Sequence, residues 1–296
     1  MRILKPRWTL LFLLPQLIHG ASAKAQGFQG ARAFDHVKRV VDLGPRPPAS
    51  PALEDCRRYI RSQVAALGLK AEDRPFQAGT PLGSAPMSNI VVRLPGKVPG
   101  KIVVGGHYDT KRMGFRFVGA NDGGSSTGFL LELLRAVKNR PRRLGLEVVF
   151  FDGEESIVAW QGSDHTYGSR EYVAAARRDG TLKDIRAMVL VDMIGDKALG
   201  IRREEASTRW LTDLVWSSAK RLGHGKIFQD ESTSIADDHI PFIDAGIPAV
   251  DIIDLDYPAW HTAEDTLDQV SPKSLQIVGD VLLDALPKIE QRLLRK

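Results

Sequence analysis

One cysteine, Cys56, stands in the 296 residues, so the chain can form no internal disulfide. Cys56 sits in Leu53-Glu54-Asp55-Cys56-Arg57-Arg58-Tyr59-Ile60, a helical pattern with no histidine nearby, and reads as a buried structural thiol. Any metal site must then draw on Asp, Glu and His. Long basic runs with interleaved aromatics are also missing. The arginines come in scattered pairs (Arg57-Arg58, Arg142-Arg143, Arg177-Arg178, Arg202-Arg203), so the net charge of +5 reads as a solvated basic surface and excludes a nucleic-acid groove. No internal repeat or long linker divides the chain, and its length suits one large α/β domain.

Long apolar stretches are scarce too. The one near the start, Trp8 to Ile18, is short for a membrane span and holds Pro15. Arg2, Lys5 and Arg7 precede it, and Ala21-Ser22-Ala23-Lys24-Ala25 follows. That is the layout of a secretory signal peptide. Residues 1–25 are expected to be a leader and 26–296 a single catalytic domain, exported to the periplasm or secreted. Cleavage after Ala23 or Ala25 satisfies the small-residue rule, and an uncleaved signal anchor is the alternative. No cysteine follows the leader to carry a lipid.

The rest of the chain alternates helix and strand patterns. Ala33, Val37, Val40 and Val41 make one apolar stripe, and Tyr59, Ile60, Val64 and Leu67 a second. Gly44-Pro45-Arg46-Pro47-Pro48 breaks them apart. A hairpin is expected from Lys70 to Phe76, through a loop at Gly79–Gly83, to Met87–Leu94. Buried strands are expected at 102–105, 146–151, 187–191 and 248–253, and helices at 126–139, 168–178, 207–222 and 271–294, the last with Ser271 as N-cap and Pro272 in its first turn. This order implies a central mixed, mostly parallel twisted β-sheet flanked by helices.

The chemistry collects where the strands end. Val103-Val104 lead into Gly105-Gly106-His107-Tyr108-Asp109, Val148 to Phe151 into Asp152-Gly153-Glu154-Glu155, and Met188 to Val191 into Asp192. Asp122 lies in the small-residue loop Gly119 to Ser126, and His261 in Trp260-His261-Thr262. Strand ends of an open α/β sheet are where such folds gather ligands, and a cysteine-free Asp/Glu/His set suits catalytic zinc. Successive side chains after a strand point in different directions. One glutamate of the Glu154-Glu155 pair can therefore bind a metal while the other moves a proton. Read singly, the motifs have plainer meanings: a solvated acidic turn, a helix N-cap at Asp122, a turn cap at Asp192, a structural histidine at 261. Asp237-Asp238-His239 adds a carboxylate cluster.

These motifs resemble the zinc-dependent glutaminyl-peptide cyclotransferases (glutaminyl cyclases), relatives of the zinc aminopeptidases, over about residues 30 to 290. The resemblance rests on His107-Tyr108-Asp109, Phe150 to Glu155, Tyr167-Gly168-Ser169-Arg170, Asp237-Asp238-His239-Ile240-Pro241-Phe242 and Trp260-His261-Thr262. Trp160 and Asp164 after the glutamate pair favour the cyclases over the di-zinc aminopeptidases. The resemblance implies one zinc held by Asp122, Glu155 and His261. Glu154 would be the general acid/base, with Asp192 and Asp237 in a carboxylate network beside it and Trp160 and Trp260 lining the substrate pocket. His107 matches a second-metal ligand of the aminopeptidases. Two departures stand out. Gly106 and Thr127 occupy the positions of a disulfide in the animal cyclases, so this loop is expected to be held by packing alone. Asp251 replaces a histidine of those enzymes.

The implied reaction closes an N-terminal glutamine of a peptide or protein into pyroglutamate with release of ammonia. The alternative is a secreted di-zinc aminopeptidase, in which His107 and Asp192 join the ligands and Asp122 bridges. A binding protein on an eroded peptidase scaffold is a third reading, against which the intact Asp122, Glu154, Glu155 and His261 argue. The residues leave the natural substrate, the metal count and the oligomeric state open.

Overall fold

The computed structural model describes residues 1, 3 and 27–295. Apart from residues 1 and 3, the expected leader lies outside the described residues. Two amphipathic helices open the domain, α1 (Gly30–Asp42) and α2 (Pro51–Ala66). They bury Ala33, Val37 and Val40, and Leu53, Cys56, Ile60 and Val64, at the three- and four-residue spacing that puts side chains on one helix face. Ser50 caps α2 by accepting the Leu53 N–H at 3.1 Å, with Pro51 in the first turn. Cys56 is fully buried, and burial pushes its thiol up to about 11, as befits a packing residue.

The hairpin of β1 (Ala71–Thr80) and β2 (Gly83–Leu94) is longer than its residue pattern suggests. Pairing continues through Ala78↔Ala85 and Gly79↔Ser84 to Thr80↔Gly83, leaving only Pro81 and Leu82 in the turn. Small residues of weak strand propensity are carried by the backbone ladder, and Gly83 takes φ 110° at the turn. Pro75 is tolerated because β1 is an edge strand.

The remaining elements follow as β3 (Lys101–His107), α3 (Gly124–Val137), β4 (Gly145–Phe151), α4 (Tyr167–Arg178), β5 (Ile185–Asp192), β6 (Ile201–Glu204), α5 (Arg209–Arg221), β7 (Phe228–Thr233), α6 (Ile240–Asp244), β8 (Ala249–Ile253) and α7 (Pro272–Leu294). The main sheet has the order β1-β2-β4-β3-β5-β8. Its β1/β2 and β2/β4 pairs are antiparallel, and β4/β3, β3/β5 and β5/β8 are parallel. The expected mixed sheet is therefore present. Strands β6 and β7 form a separate parallel pair that the residue pattern does not reveal, because they are short and mostly polar.

Alternation along the strands sends residues to two cores. Val104, Val148, Val189 and Val250 face the layer of α1, α2, α3, α5 and α7. Val103, Val149, Met188 and Ala249 face α4 and α6. With both faces covered, the central strands must be apolar on both sides, which explains their unbroken hydrophobic runs. Strand β4 lies on one side of β3, while β5 and β8 lie on the other. The connecting helices α3 and α4 cover opposite faces, so the loops part at the C-terminal ends of these strands and leave a crevice there.

Candidate metal and catalytic site

Each side chain around that crevice is delivered by a strand end or the loop after it. His107 closes β3, Asp192 closes β5, and Glu154-Glu155 follow β4. Asp122 comes from the loop before α3. In that loop Gly123 takes φ 77°, and a Cβ there would fall 2.4 Å from the Asp109 carbonyl oxygen and 3.1 Å from His107 Cε1. Only glycine lets this turn lie so close to the imidazole. His261 itself adopts φ 55°, and Met193, after Asp192, φ 44°. Each left-handed non-glycine residue costs about 1–2 kcal/mol, strain that the packed surroundings must hold.

Two three-residue groups result, and Asp122 belongs to both: His107–Asp122–Asp192, and Asp122–Glu155–His261. His107 Nε2 lies 3.2 Å from Asp122 Oδ1 and 3.1 Å from Asp192 Oδ1. His261 Nε2 lies 3.3 Å from Asp122 Oδ2 and 3.1 Å from Glu155 Oε1. Asp122 Oδ2 is buried without a hydrogen-bond partner among the described residues, and His107 Nδ1, on the far side of its ring, faces Asp109 Oδ1 at 3.5 Å. Three carboxylates and two imidazoles, with an unsatisfied carboxylate oxygen on the residue the two groups share, are a set that a divalent cation fits by charge and by atom type.

The surroundings hold these groups in place. Asp265 accepts the N–H groups of Asn121 at 2.8 Å and Asp122 at 3.2 Å, and the Tyr257 hydroxyl at 2.7 Å. Asp109 accepts the Glu154 N–H at 3.1 Å and the Glu155 N–H at 3.3 Å. Lys111 Nζ is 3.3 Å from Glu155 Oε2 and donates to Ser156 at 2.9 Å. Behind them, the fully buried Arg46 guanidinium donates to the carbonyls of Val40, Gly44, Tyr108, Val118 and Gly119 and ties α1 to the loops on either side of the site. The loop at Gly106 and Thr127 is not held by packing alone, contrary to expectation. The Ser126 and Thr127 hydroxyls both donate to the His107 carbonyl, at 2.8 and 3.3 Å. Gly106 faces Ser126, since a Cβ built on it would lie 2.7 Å from that of Ser126.

A cavity of about 390 Å³ opens over the groups, walled by Trp160, Trp260, Ile235 and Ile253 and floored by Glu154, Glu155, Asp192 and Asp237. Trp160 stacks on His165 at 4.4 Å between ring centres, and Trp260 lies 4.6 Å from the His261 ring. The fold thus brings His107, Asp122, Glu154, Glu155, Asp192, Asp237, Trp160, Trp260 and His261 into one place. Residue patterns did not single out Asp265, Asp109, Lys111, His165 or Glu204 as supports. Asp109 stood inside a noted motif and Asp265 only four residues beyond His261, but hydrogen bonds to backbone N–H groups leave no pattern in sequence.

Crowded carboxyls hold protons that isolated ones would lose. Burial, then the charges of Asp237, Glu155 and Asp238, lift Glu154 well above the usual carboxylate range, against the pull of His107. Burial and Asp192 push Asp237 up to about 7. Burial opposes charge on His261, but Asp122 and Glu155 outweigh it and lift the imidazole to about 9. Burial likewise opposes charge on His107, and Asp192, Asp109 and Asp122 raise it well above its usual value. Burial would raise Asp122, but the two histidines dominate and hold it low. These are the signs of a site short of positive charge.

A mixed sheet sandwiched by helices, with histidines and carboxylates gathered at its parallel strand ends, defines the class of metal-dependent exopeptidase-like α/β proteins. The chain belongs to peptidase family M28, whose profile matches residues 89–286. That family is zinc-dependent, and the two groups around Asp122 could bind metal. Among relatives, the glutaminyl-peptide cyclotransferase of Boiga dendrophila is 31% identical, with 81% of this chain and 77% of that protein covered. The crystal structure of an Acidobacteriales bacterium glutaminyl cyclase superposes with a TM-score of 0.87 at 41% identity, covering 92% of this chain and 98% of that one. A leucine aminopeptidase precursor from Bacteroides thetaiotaomicron superposes with a TM-score of 0.81 at 28% identity, covering 88% and 97%.

Proposed function

We propose that this protein is a zinc-dependent glutaminyl-peptide cyclotransferase, an acyltransferase that converts the N-terminal glutamine of peptides or proteins to pyroglutamate and ammonia. The observation that carries this reading is the similarity to glutaminyl cyclases along nearly the whole chain, joined to a buried, proton-retaining Glu154 on the floor of a tryptophan-walled cavity. Asp122, Glu155 and His261 would hold zinc, whose chemistry there is Lewis-acid polarisation of the substrate's γ-carbonyl.

The substrate's α-amine attacks its own γ-carbonyl carbon. Glu154 takes the amine proton and returns it to the departing nitrogen, which then leaves as ammonia. A carboxyl raised above the usual carboxylate range suits both halves of that exchange. Asp192 and Asp237 share protons with it, so the cluster titrates as a unit. Trp160 and Trp260 pack against the glutaminyl side chain and keep water from competing with the amine. Residues 1–25 serve as an export leader, and 26–296 are the catalytic domain. Among the described residues no helix is long and apolar enough to cross a membrane.

A second reading, a di-zinc aminopeptidase, draws on the complete His107–Asp122–Asp192 group. Mass spectrometry of a Gln-initiated peptide incubated with zinc-loaded protein, beside a Leu-initiated control, separates the two. Loss of one ammonia from the first with the control intact is the expected result. Release of free amino acids would replace the cyclotransferase reading with the aminopeptidase one.

A further inference from the structure

Buried acids continue away from the cavity beyond Asp237. Asp251, on β8, is fully buried, and no N–H or hydroxyl group among the described residues donates to its carboxylate oxygens. Its carboxyl faces that of Asp237 on one side. On the other side, His239 Nδ1 lies 3.6 Å from Asp251 Oδ2. The opposite ring nitrogen, Nε2, is 2.9 Å from Glu204 Oε2. Glu204 ends β6 and is fixed in turn, accepting the Ala206 N–H at 3.0 Å, the Ser207 N–H at 2.7 Å and the Ser207 hydroxyl at 2.9 Å. That hydroxyl also accepts the Asp251 N–H at 3.0 Å, which closes a ring of contacts around the imidazole.

The chemistry of this string is constrained. An imidazole nitrogen that faces a carboxylate must donate an N–H, so Nε2 is committed to Glu204. The string then needs one further proton at Asp251, shared with the Asp237 carboxyl or turned to Nδ1. Without it, Asp251 would present bare charge to Asp237, and like charges at such range in a buried site are costly. Asp237 is the member of the string that reaches the cavity floor, where its charge acts on Glu154. Neither His239, Glu204 nor Asp251 lines the cavity.

We infer that the His239–Glu204 pair is a positioning device for the reaction, fixing Asp251 and, through Asp251, the Asp237 carboxyl beside Glu154. This gives a role to a histidine and a glutamate that are both inaccessible to solvent and sit behind the cavity without lining it. It rests on the cyclotransferase reading only for the choice of assay substrate.

The test uses the full chain, zinc-loaded, as His239→Gln, Glu204→Gln, Asp251→Asn and the double variant His239→Gln/Asp251→Asn. A carboxyl displaced by a fraction of an ångström costs about ten- to a hundredfold in rate. His239→Gln should lose that much kcat on the Gln-initiated peptide, with KM and bound zinc unchanged. If the pair acts through Asp251, Asp251→Asn alone should lose a similar part of kcat and the double variant no more than either, whereas unrelated structural roles would multiply. Glu204→Gln should repeat the loss from the far end of the string and stands in if His239→Gln does not fold. Wild-type kcat in His239→Gln overturns the inference. So does a double-variant loss equal to the product of the single losses, or loss of folding or zinc in both His239→Gln and Glu204→Gln. A wild type that releases leucine from the control peptide and no ammonia from the other would instead sink the cyclotransferase reading, and the same kcat ratios on the Leu peptide would still judge the pair.

Discussion

Asp265→Asn probes whether the site is preorganised by its surroundings. Asp265 is fully buried and receives three hydrogen bonds, two of them from the backbone N–H groups of Asn121 and Asp122. Those two bonds hold the turn that aims the Asp122 carboxylate at both metal groups. An asparagine keeps the size and one acceptor oxygen, but its NH₂ meets a backbone donor where the second carboxylate oxygen stood. One or two hydrogen bonds to a charged acceptor are lost, at about 1.5–3 kcal/mol each, so stability should fall by about 2–5 kcal/mol. Loss of a group that orients a metal ligand typically costs about 10–100-fold in affinity. Zinc affinity by competition with a chromogenic chelator, and urea unfolding of the metal-free and zinc-loaded forms, measure the two effects separately. The loaded form should be destabilised more than the metal-free form. An Asp265→Asn protein that binds zinc within twofold of wild type, while losing stability equally in both forms, would refute the claim that Asp265 aims Asp122.

Four further perturbations test other parts of the structure. Glu154→Gln should keep zinc and lose about two or more decades of kcat, the usual worth of general acid–base help; near-normal turnover would remove Glu154 from the proton transfer. Trp260→Ala should raise KM more than it lowers kcat, and an unchanged KM would take Trp260 out of the pocket. Arg46→Lys replaces five N–H donors with at most three from one point; the Val40 and Gly119 oxygens keep the N–H groups of Leu43 and Gly124, but each of the Gly44, Tyr108 and Val118 oxygens that lysine fails to reach costs about 1–3 kcal/mol; a urea midpoint like that of wild type would show that lysine or water serves all three. His36 is lowered from 6.5 to about 4, chiefly by burial, beside the Tyr59 hydroxyl at 2.6 Å. The unfolded chain therefore binds the extra proton first as pH falls. Stability that is intact above pH 6.5 should drop by about 3 kcal/mol in all by pH 4. His36→Gln should lack that part of the decline, and identical pH–stability curves for the two proteins would contradict it.

Much of the molecule was written locally. Apolar residues at helical spacing marked α1 and α2, and the doubly buried strands β3, β4, β5 and β8 declared themselves as apolar runs because both of their faces meet helices. Ser271-Pro272 announced α7, and the Ser271 side chain does accept the Lys273 N–H at 3.2 Å. The residues able to ligate metal or move a proton were also legible, because Asp, Glu and His at the ends of apolar strands have few other reasons to be there. Their grouping was not. That Asp122 lies between two histidines, 3.2 Å from one and 3.3 Å from the other, depends on strand order and on a left-handed glycine at 123, which neighbours in sequence do not encode. Strands β6 and β7 escaped notice because they are short and mostly polar, and pairing between backbones sets them. The same holds for Asp265, Asp109 and the Glu204–His239 pair. Sequence determines which chemical groups the chain carries and which segments must be buried. Only the tertiary structure decides which polar groups meet, since a hydrogen bond across 35 or 144 residues is fixed by packing and not by any local propensity.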